Sequence, residues 1–367
     1  MSKPISSPSR KLQVRIDKLV HGGAGMALHD GKVVFIPFSC PGDELDVEIV
    51  EDHESFSVGK IVRVMADSAE RVEPRCPVFG KCGGCNWQHL AYDAQLRAKR
   101  DIVIDVLMRI GRFPRDILET ITLPTIGSSN PWHYRNRIQL HVDRRGRVGF
   151  YKEKSHEVVE FEECFITDQR LNVQLTAMRP ELSVRGKGIS LKLHEHDYSF
   201  SQVNDAQNET LKRLVREWLQ EIPHHRLLEL YAGAGNFTFD AAAIADDVVA
   251  IEIDRRAIQA AQVRQRELGK ANVTFLSAPA HVLPETLAEK AFDVVLLDPP
   301  RKGAWEALNM IIQRQPKAIL YISCDPATLA RDLQKLAGAG WQLERIQPVD
   351  MFPQTAHIET VSLAIRK

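Results

Sequence analysis

The chain has 367 residues, 44% of them hydrophobic and 26% charged, with 48 Lys plus Arg set against 48 Asp plus Glu. That length exceeds one ordinary core and calls for two or three domains, and the composition excludes a disordered or fibrous chain. The balanced charge offers no global argument for a polyanionic partner, and no apolar run approaches the roughly 20 residues that span a bilayer.

Local charge says more. Lys3, Arg10, Lys11, Arg15 and Lys18 cluster near the start, and Arg135, Arg137, Arg144, Arg145 and Arg147 form a second run. Such runs can neutralise phosphates, although most are solvated surface. The start, MSKPISSPSRK, has no apolar segment behind its charges, so a cytoplasmic protein without a membrane or an obligate protein partner is expected.

Residues 11–65 read as an all-β unit. LQVRIDKLV, KVVFIPF, ELDVEIV and SVGKIVRVM are strand-like, and HGGAG, HDG and PGD are turns. Short strands over that length suit a small barrel of the oligonucleotide-binding type. Residues 75–110 hold RCPVFGKCGGCNW, with Cys76, Cys82 and Cys85 spaced C-x5-C-x2-C, followed by the helical stretch HLAYDAQLRAKRDIVIDVLMRIG. Residues 130–200 return to strands at YRNRIQLHVD, RVGFYKE and HEVVEFEEC, the last leading into Cys164. In a cytoplasmic protein such cysteines read as ligands of a metal or cluster; four thiolates suit zinc or an iron–sulfur cluster, and spacing does not separate the two. Cys40 lies apart and is expected to be buried packing.

From about residue 205 strands alternate with helix-like intervals: RLLELY, DVVAIEI, NVTFLSA, FDVVLLD and AILYISC. That alternation predicts an α/β fold with a doubly wound, Rossmann-like parallel sheet. The expected domains are therefore 1–68, a barrel; 69–200, a β-rich region carrying the cysteines; and 201–367, the α/β domain.

The first α/β strand runs into LELYAGAGNFT, with Gly233 and Gly235 in the turn, and the second ends at Glu252. A glycine turn allows close backbone approach to a nucleotide-like ligand, and an acid at the second strand's end accepts ribose hydroxyls. Thr238 stands where a phosphate-binding GxGxxG has its third glycine, which favours the phosphate-free S-adenosylmethionine over a dinucleotide. The fourth strand ends at Asp298 in LLDPPRKG. The residue after the two prolines is Arg301, whereas amino-group methylases usually carry an aromatic residue there. The fifth strand ends at Cys324 in ISCDPATLARDL, where Asp325-Pro326 can start a helix whose N-terminus would stabilise a thiolate. A cysteine, a methyl donor and a base are what methylation of uracil carbon 5 requires, because that carbon becomes nucleophilic only after thiolate attack on carbon 6.

The stretches FSQVNDAQNETL, LLELYAGAGNFT, IEID, LLDPPRKG, ISCDPATLARDL and HIETVSL follow in the order found in the RNA uracil-5 methyltransferase family, which this chain resembles. The resemblance implies donor contacts from Gln202, Tyr231, Glu252 and Asp298, a nucleophile at Cys324 and a general base at Glu359. Ser201 and Lys302 depart from the family pattern without removing a reacting group. The segment 11–65 resembles a TRAM domain, and Cys76, Cys82, Cys85 and Cys164 resemble the ligands of a [4Fe–4S] cluster in the ribosomal-RNA branch. The resemblance thus implies 23S rRNA as the preferred substrate. A tRNA enzyme with the same chemistry, and a non-catalytic RNA-binding or redox-sensing protein, are the alternatives.

Overall fold

The computed structural model describes residues 10–185, 188–193 and 202–366; Lys3 and Ser201 lie outside them. The chain divides into two compact units. The first takes residues 1–102, 129–193 and 352–357, and the second takes 103–128, 194–351 and 358–367.

The first unit begins with β1 (Lys11–Arg15), β2 (Lys18–Leu19), β3 (Gly25–His29), β4 (Lys32–Ile36), β5 (Glu44–Asp52) and β6 (Phe56–Ala66), paired in the order β1-β5-β6-β4-β3-β2. Alternation along β1, where Leu12 and Val14 face inward, matches the period of a half-buried strand. These residues close on Ile16, Ala27, Val34, Ile36, Leu45 and Val47 as one core. Cys40 is fully buried beside it, its thiol directed at the His89 carbonyl, as packing requires. Helix α1 (Tyr92–Arg109) follows the cysteine segment, and α2 (Arg115–Ile121) belongs to the second unit.

Strands β7 (Arg137–Val142), β8 (Val148–Tyr151), β9 (Val158–Glu160) and, after helix α3 (Gln169–Arg185), β10 (Ile189–Lys192) form a four-stranded sheet ordered β10-β7-β8-β9. Helix α3 corrects the expectation of strands throughout 130–200. Leu171, Leu175 and Leu182 recur at helical spacing and pack on Ile138, Leu140 and Val148. Pro180 inside α3 and the polar residues between those leucines mask the periodicity in the sequence.

The second unit is built on α4 (Asp205–Glu221), β11 (Arg226–Leu230), α5 (Thr238–Ala241), β12 (Asp247–Glu252), α6 (Arg255–Glu267), β13 (Val273–Ser277), β14 (Val294–Leu297), α7 (Trp305–Arg314), β15 (Ala318–Ser323), α8 (Pro326–Gly338), β16 (Trp341–Val349) and β17 (Glu359–Arg366). The strands form one sheet in the order β13-β12-β11-β14-β15-β17-β16. Strands β11 to β15 pair in parallel, and β17 runs antiparallel to both β15 and β16. Every residue of β14 and β15 is buried, as expected of a central parallel strand covered on both faces. The order reverses between β11 and β14, so the ligand crevice falls at the carboxyl ends of those strands.

Candidate active site

Strand β11 ends in a turn held by three left-handed residues, Tyr231 (φ 63°), Gly233 (φ 56°) and Gly235 (φ 83°). A Cβ built on Gly233 would meet nothing within 4 Å, so the backbone there is open to a ligand. The Gly233 amide donates to Glu252 Oε2 at 3.0 Å, while Glu252 Oε1 accepts from the Ile253 and Asp254 amides at 2.7 and 2.9 Å. The carboxylate at the end of β12 is thereby fixed beside the glycine turn. Burial pushes the Tyr231 hydroxyl up to about 12, reinforced by nearby carboxylates.

Thr238, the residue in place of a third glycine, is fully buried and donates its hydroxyl to Glu229 Oε2. Sequence reasoning missed Glu229. Its signal was a lone charge in the otherwise apolar LLELY, and burial pushes its carboxyl up to about 8. The segment VNDAQN is an anchoring device. Asn204 caps α4 by accepting from the Gln207 amide, its own amide donates to the Met351 carbonyl, and Gln207 Nε2 donates to the Asp350 carbonyl at 2.9 Å. Asn208 and Asn236 exchange amide hydrogen bonds of 2.9 and 3.0 Å, tying α4 to the glycine turn. Gln202 is buried where the chain enters α4.

Register brings the remaining residues together. Ser323 pairs with Thr360 across antiparallel β15 and β17, so Cys324, the residue just past the end of β15, adjoins Glu359, the first residue of β17. Leu297 pairs with Tyr321 in parallel, which sets Asp298 at the neighbouring strand end. Asp298 and Arg301 act electrically on both Cys324 and Glu359. Burial pushes the Cys324 thiol up to about 11; Glu359 and Asp298 add to the rise and Arg301 opposes it. Glu359 is 2% exposed, and burial, with Asp298 beside it, raises its carboxyl well above the usual range. Burial raises Asp298 to about 7.

The expected activation of Cys324 by a helix N-terminus is corrected here. Asp325 caps α8 by accepting from the Ala327 and Thr328 amides at 2.9 and 3.0 Å, so those donors are taken and a negative charge is added near the sulfur. A second group missed in the sequence is the buried pair Tyr321 and Asp332. The tyrosine hydroxyl donates to Asp332 Oδ2 at 2.7 Å, and the Ala304 amide donates to both, which anchors the loop after Asp298 on α8.

In the first unit Cys76, Cys82, Cys85 and Cys164 line one cavity of about 240 Å³ together with Phe79 and Arg135. Burial raises Cys76, pushes Cys82 up to about 11 and Cys85 up to about 12. The Cys76 amide donates to Gln88 Oε1, the Cys164 amide to Asn172 Oδ1 and the Gly84 amide to Cys82 Sγ. A Cβ on Gly83 would lie 3.1 Å from the Tyr151 carbonyl oxygen at the end of β8 and 3.0 Å from the Glu153 nitrogen, so the loop's close approach there needs a glycine. The Nε of Arg135 is buried without a partner. Among the described residues no group of three or more His, Cys, Asp or Glu is arranged to hold a metal ion.

A sheet of this order, with a glycine turn after its first strand and an acid at the end of the second, defines a class of methyltransferase that uses S-adenosylmethionine. Residues 164–367 match the family described as tRNA (Uracil-5-)-methyltransferase, and residues 8–62 match the TRAM domain. An uncharacterized RNA methyltransferase of Bdellovibrio bacteriovorus is 36% identical, over 96% of this chain and 94% of the relative. The 23S rRNA (uracil(1939)-C(5))-methyltransferase RlmD of Shewanella sediminis is 30% identical, over 99% of this chain and 98% of the relative. The fold matches the Pyrococcus abyssi tRNA (uracil-54, C5)-methyltransferase, crystallised with S-adenosyl-L-homocysteine, with a TM-score of 0.73 at 24% identity over 96% of this chain and all of that one. The chain belongs to the RNA uracil-5 methyltransferase family and methylates uracil carbon 5 in RNA with S-adenosylmethionine as donor.

Proposed function

We propose that Cys324 is the nucleophile and Glu359 the base of this reaction, and that the substrate is 23S rRNA. The observation that supports the first part is the pairing of Ser323 with Thr360, which brings the neighbouring Cys324 and Glu359 together at the strand ends, one strand from the end of β14 before Asp298. The relatives named for 23S rRNA methylation, similar along nearly their whole length, support the second.

S-adenosylmethionine supplies an electrophilic methyl group on a cationic sulfur. Around it Tyr231, Glu252 and Asp298 offer a polar wall, Gln202 stands at the entrance of α4, and Asp298 and Glu359 offer negative charge to the sulfonium. A target uridine must leave its stack to reach this crevice. Cys324 Sγ then bonds to carbon 6, and the electrons of the C5–C6 double bond move onto oxygen 4 as an enolate. Carbon 5 takes the methyl group as the sulfonium keeps the bonding pair. Glu359 accepts the proton from carbon 5; the double bond re-forms and the thiolate leaves. Since burial raises Cys324 to about 11, a cation must lower it during turnover. Arg301 already acts in that direction.

The four cysteines fit a [4Fe–4S] cluster better than zinc. A cluster is bulkier than one zinc ion with sulfurs about 2.3 Å away, and the cavity of about 240 Å³ that the cysteines line has room for it. Arg135, with its buried unpartnered Nε, suits an anionic group. Cys76, Cys82, Cys85 and Cys164 would hold the cluster, whose chemistry here is to cross-link separated segments. The barrel of residues 1–68 then captures RNA, residues 69–200 carry the cluster, residues 201–367 catalyse, and the enzyme works in the cytoplasm.

The test is covalent trapping. Cys324→Ala should abolish turnover while S-adenosyl-L-homocysteine affinity stays within about threefold. Glu359→Gln should methylate once and stall before elimination, so an RNA–protein adduct accumulates with ordinary uridine. Wild-type turnover by Glu359→Gln would sink the assignment of the base. Mapping 5-methyluridine after incubation with unmodified 23S rRNA and tRNA decides the substrate.

A further inference from the structure

The loop after Asp298 leads into Trp305, the first residue of α7. It is the one aromatic side chain among the exposed large hydrophobic residues described, with 47% of its surface open. An exposed indole costs solvation free energy unless something covers it in use. The reaction chemistry makes no use of Trp305.

Its surroundings are cationic. Lys335 Nζ lies 4.2 Å from the ring centroid and the Arg331 guanidinium 5.1 Å. Both belong to α8, one turn apart, so they flank the indole from the same helix. Arg331 also donates to the Lys302 carbonyl at 3.0 Å and pairs with Asp332, which is fully buried. Lys302 is exposed, and neither Lys302 nor Lys335 has a carboxylate partner among the described residues. Glu306, the acid adjoining the tryptophan in sequence, lies 3.7 Å from the His281 ring nitrogen. The indole has no aromatic partner among the described residues. An indole with about half its surface open, packed by α8 cations on one side and next to two lysines without carboxylate partners among the described residues, is the chemistry that holds single-stranded nucleic acid, the exposed part of the ring taking a base and the lysines taking phosphates.

The patch adjoins the reacting residues through the same two elements. Thr328 Oγ1 donates to the Arg301 carbonyl at 3.1 Å, and the Ala304 amide is fixed by Tyr321 and Asp332. Arg331 lies five residues into α8 from Pro326, about 8 Å along the helix at about 1.5 Å per residue, and Pro326 follows Cys324 by two residues. That is the reach of one or two nucleotides.

We propose that Trp305 is a stacking platform for a base one or two nucleotides from the target uridine, with Lys302 and Lys335 bound to the flanking phosphates. Holding the neighbour apart from the uridine keeps the flipped base from restacking and makes the enzyme sensitive to the identity of that neighbour, larger bases stacking better. The inference rests on the reading of this chain as a uridine methylase acting on RNA at Cys324.

The experiment uses the full-length enzyme and begins by mapping its methylated uridine on RNA. Hairpins carrying that uridine are then made with 2-aminopurine at each flanking position. Wild-type enzyme should quench the 2-aminopurine fluorescence at one of these positions. Trp305→Ala should lose the quenching and raise the KM for RNA about tenfold, with kcat and S-adenosyl-L-homocysteine affinity within twofold. Trp305→Phe should recover most of the loss and Trp305→Leu little, because a ring and not mere bulk is required. Lys335→Ala and Lys302→Ala should each lower the slope of log KM against log salt by roughly 0.7, the value of one phosphate contact on a single strand. An unchanged KM in Trp305→Ala, rescue by Leu equal to that by Phe, or a parallel loss of S-adenosyl-L-homocysteine affinity overturns the proposal. If wild-type enzyme methylates no uridine, the parent reading fails instead, and that outcome is visible at the mapping step.

Discussion

Three carboxyls of the catalytic unit, Glu229, Asp298 and Glu359, are raised above their ordinary range, in each case chiefly by burial. A site built to receive a sulfonium can hold such acids at a cost to the empty protein, because the cation restores their charge when it binds. Glu229 lies behind the glycine turn, and its partner is the Thr238 hydroxyl, so it orients the turn rather than meeting the substrate. Its folded value of about 8 against an ordinary 4.5 means the native state binds a proton that the unfolded chain has released between those two values. The stability it lends is whole below pH 4.5 and is lost as pH rises through 8, at no more than about 1.4 kcal/mol per pH unit. Glu229→Gln keeps the acceptor for Thr238 and cannot ionise. Its unfolding free energy should therefore fall less steeply between pH 5 and 8, by up to one proton's worth of slope. Equal slopes in urea melts of the two proteins would show that Glu229 is already ionised in the fold over this range, and that burial does not raise it.

At the scale of elements, the strands of the catalytic sheet were legible because buried parallel strands are short apolar runs ended by a polar residue. The strand carrying Glu359 entered only through the resemblance that sets HIETVSL in the family's order, and its register with β15 was not legible, since pairing is a property of two segments. β16 went unread because WQLERIQPV alternates apolar with charged residues and contains a proline. Buried polar anchors such as Asn204, Gln207 and Asp332 look like surface residues in sequence and acquire meaning only through partners far along the chain. The start of α8 shows the same limit. Asp-Pro reads correctly as a cap, yet the cap occupies the amides that were expected to serve the thiolate. Asp325→Asn should preserve the cap, since either side chain accepts from the helix amides, and leave stability within about 0.5 kcal/mol. It removes a charge that raises Cys324, so the midpoint for iodoacetamide labelling of Cys324 should fall below the wild-type value of about 11. A midpoint that does not move would separate the cap from the nucleophile.

At the scale of the whole molecule, no helix among the described residues is long and apolar enough to cross a membrane, and the two units carry different chemistry. Cys324 and Glu359, proposed as nucleophile and base, lie with Asp298 in the second unit, and the four clustered cysteines lie in the first. The cysteine loop is woven into its own unit. Trp87 Nε1, two residues past Cys85, donates to the Gly23 carbonyl at 2.9 Å, and the Ala356 amide donates to Asn86 Oδ1 at 2.9 Å. A cluster bound at these thiols would therefore hold together segments that are distant in sequence, and its removal would loosen more than one loop. Burial keeps Cys82 and Cys85 as thiols at neutral pH, at about 11 and 12, so binding must displace protons and retention must weaken as pH falls. Protein purified without oxygen should be brown and carry about four iron and four acid-labile sulfide per chain. Stripping the iron with a chelator after oxidation should lower the melting temperature of the first unit and increase its proteolysis between residues 76 and 90. Affinity for S-adenosyl-L-homocysteine, a property of the second unit, should stay within about twofold. Cys85→Ser should reproduce the stripped protein. A colourless anaerobic preparation holding one zinc would replace the cluster with a metal ion, and loss of donor affinity on stripping would show that the cysteine site supports the donor site as well as its own unit.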